Sequence, residues 1–449
     1  MVKIAFIEAL PKIPSYNNTF SPAFCYLKSY LDKYLPGVAE VYVIDSVEAL
    51  YEEEFDLLGI SSYTETFVNA IEIAATAKQI QEDLPICLGG SHISNVPASL
   101  PPQVDFAVMN EGEETFREIV ETLNEVGKDK LKSKLSKIRG IVRWDTKGNI
   151  VATKTREQIE PLEEIPMPDR SLFFQQNPKL MWLFTSRGCN FKCSFCGTNH
   201  KIRMYSPNYV IKEIEYIVEN YPSTKLIEIL DDLFVYDRNR VKLISNQIVE
   251  RGINRQVGFS CNVRTNLINN RLCEYLRKMN VKIVYMGIES NSERILRLFK
   301  GVAFPEQNQK AIDKLIEHGI QVVVSAIIGA WGETIEDIQE TLNFILENAR
   351  EKKILNAIIN ILTPLPGTYY WKYAKGIGIV SDEMNWDQLS GMVGYGLNIP
   401  VQEWRQNREG FCIYLNGSKI PENQIYDLLE DFERQSRGLF IDPLKILGV

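Results

Sequence analysis

The sequence lacks the features that define several large classes of protein. Its 50 lysine and arginine residues are outnumbered by 58 aspartate and glutamate residues, so a net charge of −8 leaves no overall basic field for nucleic acid. No uninterrupted apolar run approaches the roughly 20 residues of a membrane span. The amino terminus, MVKIAFIEAL, lacks the apolar core and cleavage site of a signal peptide. We therefore expect a cytoplasmic protein that neither spans a membrane nor binds nucleic acid.

Cysteine is scarce, and most of the eight cysteines are scattered. Five stand alone and are interpreted as core residues or surface thiols: Cys25, Cys87, Cys261, Cys273 and Cys412. The other three, Cys189, Cys193 and Cys196, follow one another with CxxxCxxC spacing. Thiolates hold iron–sulfur clusters, and a cubane has four irons, so three protein ligands leave one iron open to a small molecule. The spacing predicts a [4Fe-4S] cluster on these three residues.

Zinc is the main competing interpretation of this run. His200 would complete a C-x3-C-x2-C-x3-H set of four possible ligands. However, zinc sites usually pair two short motifs across a longer loop, whereas all the candidates here lie in one run behind Gly188. A disulfide is less favoured still, because three is an odd number and nothing indicates secretion. We therefore favour the cluster.

The first 135 residues alternate short apolar runs with helical patterns. The runs are continuous, as buried parallel strands are, and helical patterns such as 67–80 and 114–123 lie between them. Strands are predicted at 2–7, 41–44, 57–60, 86–88 and 106–109. This repetition predicts a doubly wound, Rossmann-like α/β domain, whose ligands bind beyond the carboxyl ends of the strands.

The rest of the chain is predicted to form three further segments. Residues 136–180 contain a hairpin around the turn 145–149, followed by a proline-containing linker. Strand–helix alternation resumes over 181–370 with six units, which predicts a partial (β/α)6 barrel rather than a full barrel of eight. Its strands are predicted at 182–185, 226–230, 257–260, 281–286, 322–328 and 357–362. Residues 371–449 form a C-terminal segment without a recognised motif.

The cysteine motif and the order of the strand ends behind it resemble the core of the radical S-adenosylmethionine (SAM) enzymes over about residues 180–370. In that family the open iron binds the methionine part of SAM, and reduction cleaves the sulfonium to a 5′-deoxyadenosyl radical. The resemblance implies that Phe195 packs beside SAM, Asp231 and Asp232 take its ammonium group, Arg264 holds its carboxylate, Glu289 and Ser290 lie near its ribose and carboxylate, and the backbone of Ile328 pairs with adenine.

Four residues near these strand ends have alternative interpretations. Asp231-Asp232 replaces the usual Gly-Gly-Glu of the family, and one member of the pair can instead cap a helix. Trp331 replaces a proline and is interpreted either as a core residue or as a stacking partner of the substrate or corrin. Lys300 is interpreted either as a further carboxylate contact or as a solvated charge.

The loops after the third, fourth and fifth predicted strands resemble those of the cobalamin-binding domain that precedes the radical domain in one large subclass. Their glycines permit close backbone approach, and their hydroxyls and amides can hold phosphate or amide groups. The candidates are Ser61, Ser62, Tyr63, Thr64, Gly89, Gly90, Ser91, His92, Asn110, Glu111 and Gly112. The resemblance covers roughly residues 1–130, and with the cysteine motif it implies three cofactors, a [4Fe-4S] cluster, SAM and cobalamin.

One departure concerns the cobalt. The familiar cobalamin signature places a histidine after the first strand, whereas the corresponding loop here, residues 8–14, has none. The resemblance therefore implies a cobalt without a lower histidine and a dimethylbenzimidazole tail held away from the metal. His92 is expected near the corrin or its nucleotide tail, with a structural role as the alternative.

The resemblance favours a cobalamin-dependent C-methyltransferase. Family behaviour implies that one SAM methylates the corrinoid and that another yields the radical that takes hydrogen from the substrate. A cyclase, ring-contracting or rearrangement enzyme with the same cofactors is the first alternative, and a non-catalytic cobalamin or cluster sensor is the second. The expected partners are a small-molecule or peptide substrate and an external electron donor such as flavodoxin or ferredoxin. The sequence does not identify the substrate.

Overall fold

The computed structural model describes residues 1–11, 21–172, 178–198, 200–389, 401–408, 420–446 and 448. The chain forms two compact units. The first comprises Met1–Phe174, Ala374–Met392 and Gly410–Cys412, and the second comprises Gln175–Tyr373, Val393–Glu409 and Ile413–Val449. None of the helices in the described ranges has the length and apolar content needed to cross a membrane.

A seven-stranded sheet is the centre of the first unit. Its strands are β1 (Val2–Glu8), β2 (Ala39–Val43), β3 (Leu57–Ser61), β4 (Ile86–Gly89), β5 (Phe106–Val108), β6 (Ile141–Trp144) and β7 (Ile150–Ala152). Its helices are α1 (Pro22–Tyr34), α2 (Phe67–Ile80), α3 (Ser91–Asn95), α4 (Glu113–Val126) and α5 (Lys128–Lys134). The sheet order is β2-β1-β3-β4-β5-β6-β7, with the first five strands parallel and the last two antiparallel.

This architecture confirms the predicted doubly wound domain. The strands are continuous apolar runs because helices cover the sheet, and Phe6 of β1 stacks on Phe24 of α1 with ring centroids 4.7 Å apart. The chain passes from β1 to β2 in one direction and to β3 in the other, which creates a switch point at the carboxyl end of β1. The predicted hairpin is also confirmed. It extends the sheet because β6 pairs with the otherwise open edge of β5, a pairing that the sequence did not predict.

The second unit contains a six-stranded parallel sheet and a short ribbon. Its strands are β8 (Leu180–Leu183), β9 (Ser186–Arg187), β10 (Arg203–Met204), β11 (Leu226–Ile229), β12 (Gly258–Arg264), β13 (Val281–Glu289), β14 (Gln321–Ile328) and β15 (Asn356–Ile361). Its helices are α6 (Pro207–Asn220), α7 (Arg238–Glu250), α8 (Asn270–Lys278), α9 (Glu293–Lys300), α10 (Pro305–Glu317), α11 (Ile335–Arg350), α12 (Tyr369–Gly376), α13 (Val401–Arg408), α14 (Glu422–Ser436) and α15 (Pro443–Ile446).

The order β8-β11-β12-β13-β14-β15 confirms the predicted six-unit partial barrel. Each strand lies beside its predecessor among the six, so their carboxyl ends meet at one edge, where barrel enzymes place their catalytic groups. Four of the five scattered cysteines are buried, which confirms them as core residues: Cys25, Cys87, Cys261 and Cys273. Cys412 lies outside the described residues.

Candidate functional site

The cysteine loop is closed at its base by the antiparallel pairing of β9 with β10. Gly188 begins the loop with φ of +86°, and a Cβ there would lie 2.7 Å from the carbonyl oxygens of both His200 and Lys201. Only glycine fits such a close approach with this backbone conformation. The Cys189 N–H also donates to the His200 carbonyl at 3.0 Å. The two arms of the loop are therefore held together directly beside the first cysteine.

The three cysteines of the motif line one hollow of about 510 Å³. All three thiols are free and half-buried. Two N–H donors reach their sulfurs, Arg264 Nη1 at 3.0 Å from Cys193 Sγ and the Thr198 backbone at 3.4 Å from Cys196 Sγ. N–H groups on sulfur stabilise the thiolates that iron requires. Three convergent thiols with such donors fit a [4Fe-4S] cluster.

The geometry does not support the zinc alternative. A zinc ion needs four ligands within about 2.0–2.3 Å of one point. In the part of the chain that the structure describes, no three histidine, cysteine, aspartate or glutamate side chains surround such a point. Thiolates on a cubane each bind a different iron, so they can stand further apart than the ligands of one ion. The described residues therefore give no support to a single zinc ion, whereas three thiols that line one hollow suit a cluster.

Asp231 forms hydrogen bonds with the loop that leads into the cysteine motif. It is fully buried, and its oxygens accept hydrogen bonds from the backbone N–H and hydroxyl groups of Thr185 and Ser186 at 2.5–3.0 Å. Burial raises the pKa of Asp231, while these hydrogen bonds and the charge of Arg240 oppose the shift. This placement differs from the expectation that Asp231 contacts SAM, because its bonding capacity is used within the protein.

Its neighbour Asp232 faces the cysteine loop. The side chain is exposed and accepts a hydrogen bond from the Thr198 hydroxyl at 3.2 Å, two residues beyond Cys196. Burial raises the pKa of Cys189, and the charge of Asp232 raises it further. An exposed carboxylate beside the cysteines suits a cationic ligand. The role of Asp232 on the SAM ammonium group stays a prediction.

Arg264, the last residue of β12, lies over the cysteine loop. Its Cζ is 4.1 Å from the ring centroid of Phe191, and its Nε donates to Asn266 Oδ1 at 3.1 Å. These two contacts orient the guanidinium so that Nη1 reaches Cys193. The sequence predicted the SAM carboxylate as the partner of Arg264, and that role stays a prediction. The contact with a cluster cysteine is additional and could not be read from the spacing.

Glu289 and Lys300 form a buried pair beside a bulge at the end of β13. Glu289 has φ of +61°, and the register between β13 and β14 shifts at this point. The Lys300 Nζ lies 3.1 Å from Glu289 Oε1 and donates to the Gly287 carbonyl at 2.5 Å. The side chain of Lys300 is 4 % exposed, so it is not the solvated charge that was one interpretation of it. The pair fixes the bulged backbone.

The other positions predicted to contact SAM have mixed surroundings. Ser290 is fully buried, with its hydroxyl 3.1 Å from the Thr341 hydroxyl, so it joins a network within the protein. The carbonyl of Ile328 accepts from the Leu362 N–H at 2.8 Å as part of the sheet. Phe195 packs edge-on against Phe299 at 5.4 Å. These contacts explain how the residues are held and leave their roles toward SAM as predictions.

The first unit has a separate cavity of about 290 Å³ at the carboxyl ends of its parallel strands. Most of the loop residues predicted for cobalamin line it: Ser61, Ser62, Tyr63, Gly89, Gly90, Ser91, Asn110 and Gly112. The cavity adjoins the switch point between β1 and β3, where doubly wound sheets bind ligands. Sequence reasoning missed Glu8 and the aromatic residues Phe6, Phe24 and Phe116, which also line the cavity. The position of Glu8 at the end of the first predicted strand was the available signal.

Two glycines allow the walls of this cavity to approach each other. Gly90 has φ of +114°, and a Cβ there would lie 1.9 Å from the Ser62 carbonyl oxygen. A Cβ on Gly59 would lie 2.6 Å from the Phe6 ring. Both glycines therefore have a steric reason for their identity beyond the turn.

The remaining three residues predicted for cobalamin do not line the cavity: Thr64, His92 and Glu111. His92 is fully buried, with Nδ1 3.2 Å from the Thr64 hydroxyl and Nε2 3.1 Å from the Ser99 hydroxyl. Its ring stacks on Phe67 at 3.8 Å, and burial lowers its pKa to about 3. His92 is thus a neutral structural residue, the alternative stated above, because both ring nitrogens are engaged. Glu111 accepts from the Ile159 N–H at 3.2 Å and joins the segment after the hairpin to the sheet.

Two parts of the chain match families of known proteins. Residues 183–345 match the family described as the radical SAM superfamily, and residues 26–120 match the B12 binding domain. A Pyrococcus horikoshii protein described as an uncharacterised methyltransferase is 30% identical over 370 residues, which cover 79% of this chain and 77% of that protein.

A more distant relative and a solved structure are also similar to this chain. The anaerobic magnesium-protoporphyrin IX monomethyl ester cyclase of Rubrivivax gelatinosus is 26% identical over 70% of this chain and 60% of its own. A radical SAM methyltransferase of Kitasatospora setae, solved with cobalamin and a [4Fe-4S] cluster, shares the fold with a TM-score of 0.67. It is 16% identical and covers 82% of this chain and 76% of its own. The protein therefore belongs to the radical SAM superfamily, in the group with a B12-binding domain, and its cofactors are a [4Fe-4S] cluster, SAM and cobalamin.

Proposed function

We propose that the protein is a cobalamin-dependent methyltransferase, which moves a methyl group from the corrinoid to a carbon of its substrate. The observation that carries this proposal is the occurrence, in one chain, of a cysteine hollow in the part that matches the radical SAM superfamily and a sheet-edge cavity in the part that matches the B12 binding domain. The Pyrococcus relative, described as a methyltransferase, supports the same reaction class.

The protein's own residues bind and orient the cofactors in this proposal. When bound, the cluster and SAM supply the radical, and the corrinoid supplies the methyl group. Asp232 takes the SAM ammonium group and Arg264 its carboxylate, because these two charges lie at the cysteine loop. Asp231 and the Lys300–Glu289 pair act as positioning residues, since each holds a strand end beneath the site.

Each segment of the chain has its own role in this proposal. Residues 1–135 hold the corrinoid, and residues 181–370 hold the cluster and SAM. Residues 136–180 connect them, and residues 371–449 form a C-terminal domain. Because the sequence contains one three-cysteine set, electrons come from an external donor such as flavodoxin or ferredoxin, in the cytoplasm. The substrate is a small molecule or peptide.

A cyclase or related rearrangement is the second candidate, favoured by the relationship to the Rubrivivax cyclase. It would use the same cofactors without net methyl transfer. The two reactions differ in the fate of the SAM methyl group, which can be followed before the substrate is known.

The experiment uses SAM with a deuterated methyl group and anoxically purified protein that holds its cluster and corrinoid. Mass spectrometry would measure label on the corrinoid, S-adenosylhomocysteine and 5′-deoxyadenosine after reduction. A methyltransferase is expected to form S-adenosylhomocysteine and a labelled corrinoid. Formation of 5′-deoxyadenosine with an unlabelled corrinoid would favour the cyclase. The Cys193→Ala protein serves as the control, because it should form no 5′-deoxyadenosine.

A further inference from the structure

A hollow of about 750 Å³ in the second unit lies outside the two sites described above. Its walls come from residues within 235–242 and 266–275, the segments that follow β11 and β12, together with Met204 of β10. It therefore lies at the same edge of the sheet as the cysteine loop, which follows β8. Nothing in the proposed reaction uses this hollow, so its charges need an explanation of their own.

The hollow is positively charged. Its described lining contains three cations, Arg238 and Lys242 on α7 and Arg271 on α8, and all three are exposed. No hydrogen bond or ion pair engages these side chains in the part of the chain that the structure describes. The one carboxylate in that lining, Asp237, caps α7 by accepting from two backbone N–H groups of its first turn, at 2.9 and 3.1 Å. The cations are therefore available to an anionic partner, although the whole chain carries a net charge of −8.

The exposure of the three cations favours a protein partner over a small anion or nucleic acid. A site for a small anion surrounds it with buried donors, whereas exposed charges act at a distance and steer a partner of opposite charge. Nucleic acid is bound through about 6–10 phosphate contacts, more than three cations can supply. An acidic protein surface fits better, because it needs complementarity only over a few exposed pairs.

The walls of the hollow contact the cysteine loop at two points. Asn266 Oδ1 accepts from Arg264 Nε at 3.1 Å, and Arg264 Nη1 lies 3.0 Å from Cys193 Sγ. The Tyr236 hydroxyl accepts from Nδ2 of Asn190, the residue after Cys189, at 2.9 Å. Two hydrogen bonds therefore join the exposed side chain of Asn266 to a sulfur of the cysteine motif. A partner seated on the hollow would stand close to the cluster.

We propose that this hollow is the docking surface for an acidic electron-carrier protein. The inference rests on the proposed function, which requires an external electron donor. In each transfer one electron leaves the carrier, which is oxidised, and enters the cluster, which is reduced, with no bond made or broken. Electron transfer between proteins needs the two redox centres close together, as the contacts of Asn266 and Tyr236 allow. Complexes of this kind are small and transient, so a few exposed charges that speed association suit them.

The test measures the binding of oxidised flavodoxin, an acidic carrier, to anoxically purified, cluster-loaded protein by surface plasmon resonance. Lys242→Glu/Arg271→Glu should weaken the complex about tenfold at low salt, because two attractions between exposed charges become repulsions. Arg271 lies in the first turn of α8, where a carboxylate is favourable, so this variant should fold.

The matched control is Lys225→Glu/Arg255→Glu, which exchanges the same charges at exposed residues just ahead of β11 and β12. These two residues lie at the opposite ends of the same strands, so the control should bind flavodoxin as the wild type does. Equal flavodoxin affinity in the wild type and Lys242→Glu/Arg271→Glu, or equal losses in the two variants, would overturn the docking surface.

The salt dependence of the unaltered protein is a second readout that does not depend on how the variants fold. Between about 25 and about 300 mM sodium chloride, flavodoxin association should slow about fivefold in the wild type and hardly at all in Lys242→Glu/Arg271→Glu. A wild-type association rate that ignores salt would also overturn the proposal. With dithionite, a small reductant, all three proteins should turn over SAM equally. Wild-type protein that forms neither 5′-deoxyadenosine nor S-adenosylhomocysteine with dithionite would instead overturn the proposed function, and the inference with it.

Discussion

The cavity of the first unit and the cysteine hollow of the second have different linings. The cavity is lined by phenylalanines and glycines, and no cation occurs in its described lining. The hollow is lined by three cysteines, with Lys192, Lys201 and Lys372 around them. In the hollow, N–H groups donate hydrogen bonds to two of the three sulfurs.

This difference teaches which kind of change each site tolerates. A site that selects by shape depends on the space between its walls, so added atoms should damage it most. A site that selects by ligand chemistry depends on particular donor atoms, so their removal should damage it most. Substitutions that add atoms and substitutions that remove ligand atoms therefore test whether the first site selects by shape and the second by ligand chemistry.

The largest effect is expected from loss of a cluster ligand. Cys193→Ala should abolish cluster assembly, because a cubane iron loses its thiolate, and should leave cobalamin binding largely intact. Iron and sulfide analysis beside a corrinoid titration would measure both. Cys273→Ala, at a buried cysteine outside the loop, is the control and should keep its iron. Full iron and sulfide content in Cys193→Ala would refute the cluster assignment.

The next effect is expected from adding one carbon to the wall of the cavity. Gly90→Ala places a Cβ against the Ser62 carbonyl and should lower the free energy of unfolding by more than about 3 kcal/mol and impair cobalamin binding. Gly37→Ala is the matched control, since Gly37 also has positive φ but nothing within 4 Å of a Cβ. It should cost about 1 kcal/mol, from backbone strain alone. Similar losses in both variants, by denaturant unfolding, would show that crowding at the cavity is unimportant.

Substitution of each of the two adjacent aspartates should have a different effect, one on stability and the other on SAM binding. Asp231→Ala removes buried hydrogen bonds from Thr185 and Ser186 and should destabilise the protein by about 3 kcal/mol. Asp232→Ala should change stability by less than about 0.5 kcal/mol, because its side chain is exposed, yet weaken SAM binding. Chemical unfolding and SAM titration of the cluster-loaded variants would measure the two effects. The account fails if Asp231→Ala is as stable as Asp232→Ala.

The smallest effect is a pH dependence from His92. Its pKa is lowered to about 3 in the folded protein, so the unfolded chain takes up a proton first as the pH falls. The contribution of neutral His92 is fully present above about pH 6.5 and should be lost by up to about 1.4 kcal/mol per pH unit below it. Between pH 7 and pH 5, the free energy of unfolding should fall less steeply with decreasing pH in His92→Gln than in His318→Gln. Denaturant unfolding at each pH would measure it. Equal slopes would contradict a buried, neutral His92.

The sequence predicted the strands and the cluster motif because both depend on local pattern. Buried parallel strands must be continuous apolar runs, and the predicted runs at 57–60 and 86–88 lie within β3 and β4. The three cysteines lie within eight residues, so one loop can bring them together. The glycine positions before the cysteines and after β4 were equally readable, since close approach and positive φ favour glycine.

The remaining features depend on contacts between distant residues. Asp231 and Asp232 look equivalent in sequence, yet the first bonds to Thr185 and Ser186, some 45 residues earlier. Lys300 reads as a solvated charge until Glu289 is placed beside it. The place of Glu8 in the lining of the first unit's cavity becomes visible only when the strands are assembled. Pairing partners of this kind carry no periodic signal.

The central claim is that one chain holds two different cofactors at these two sites, and the most direct test is cofactor content. The protein would be purified without oxygen from cells supplied with cobalamin, and corrinoid, iron and sulfide would be measured together. The account predicts stoichiometric corrinoid beside the four irons of a [4Fe-4S] cluster. An intact cluster without corrinoid would contradict it, and the methyltransferase would have to give way to a simpler radical SAM reaction.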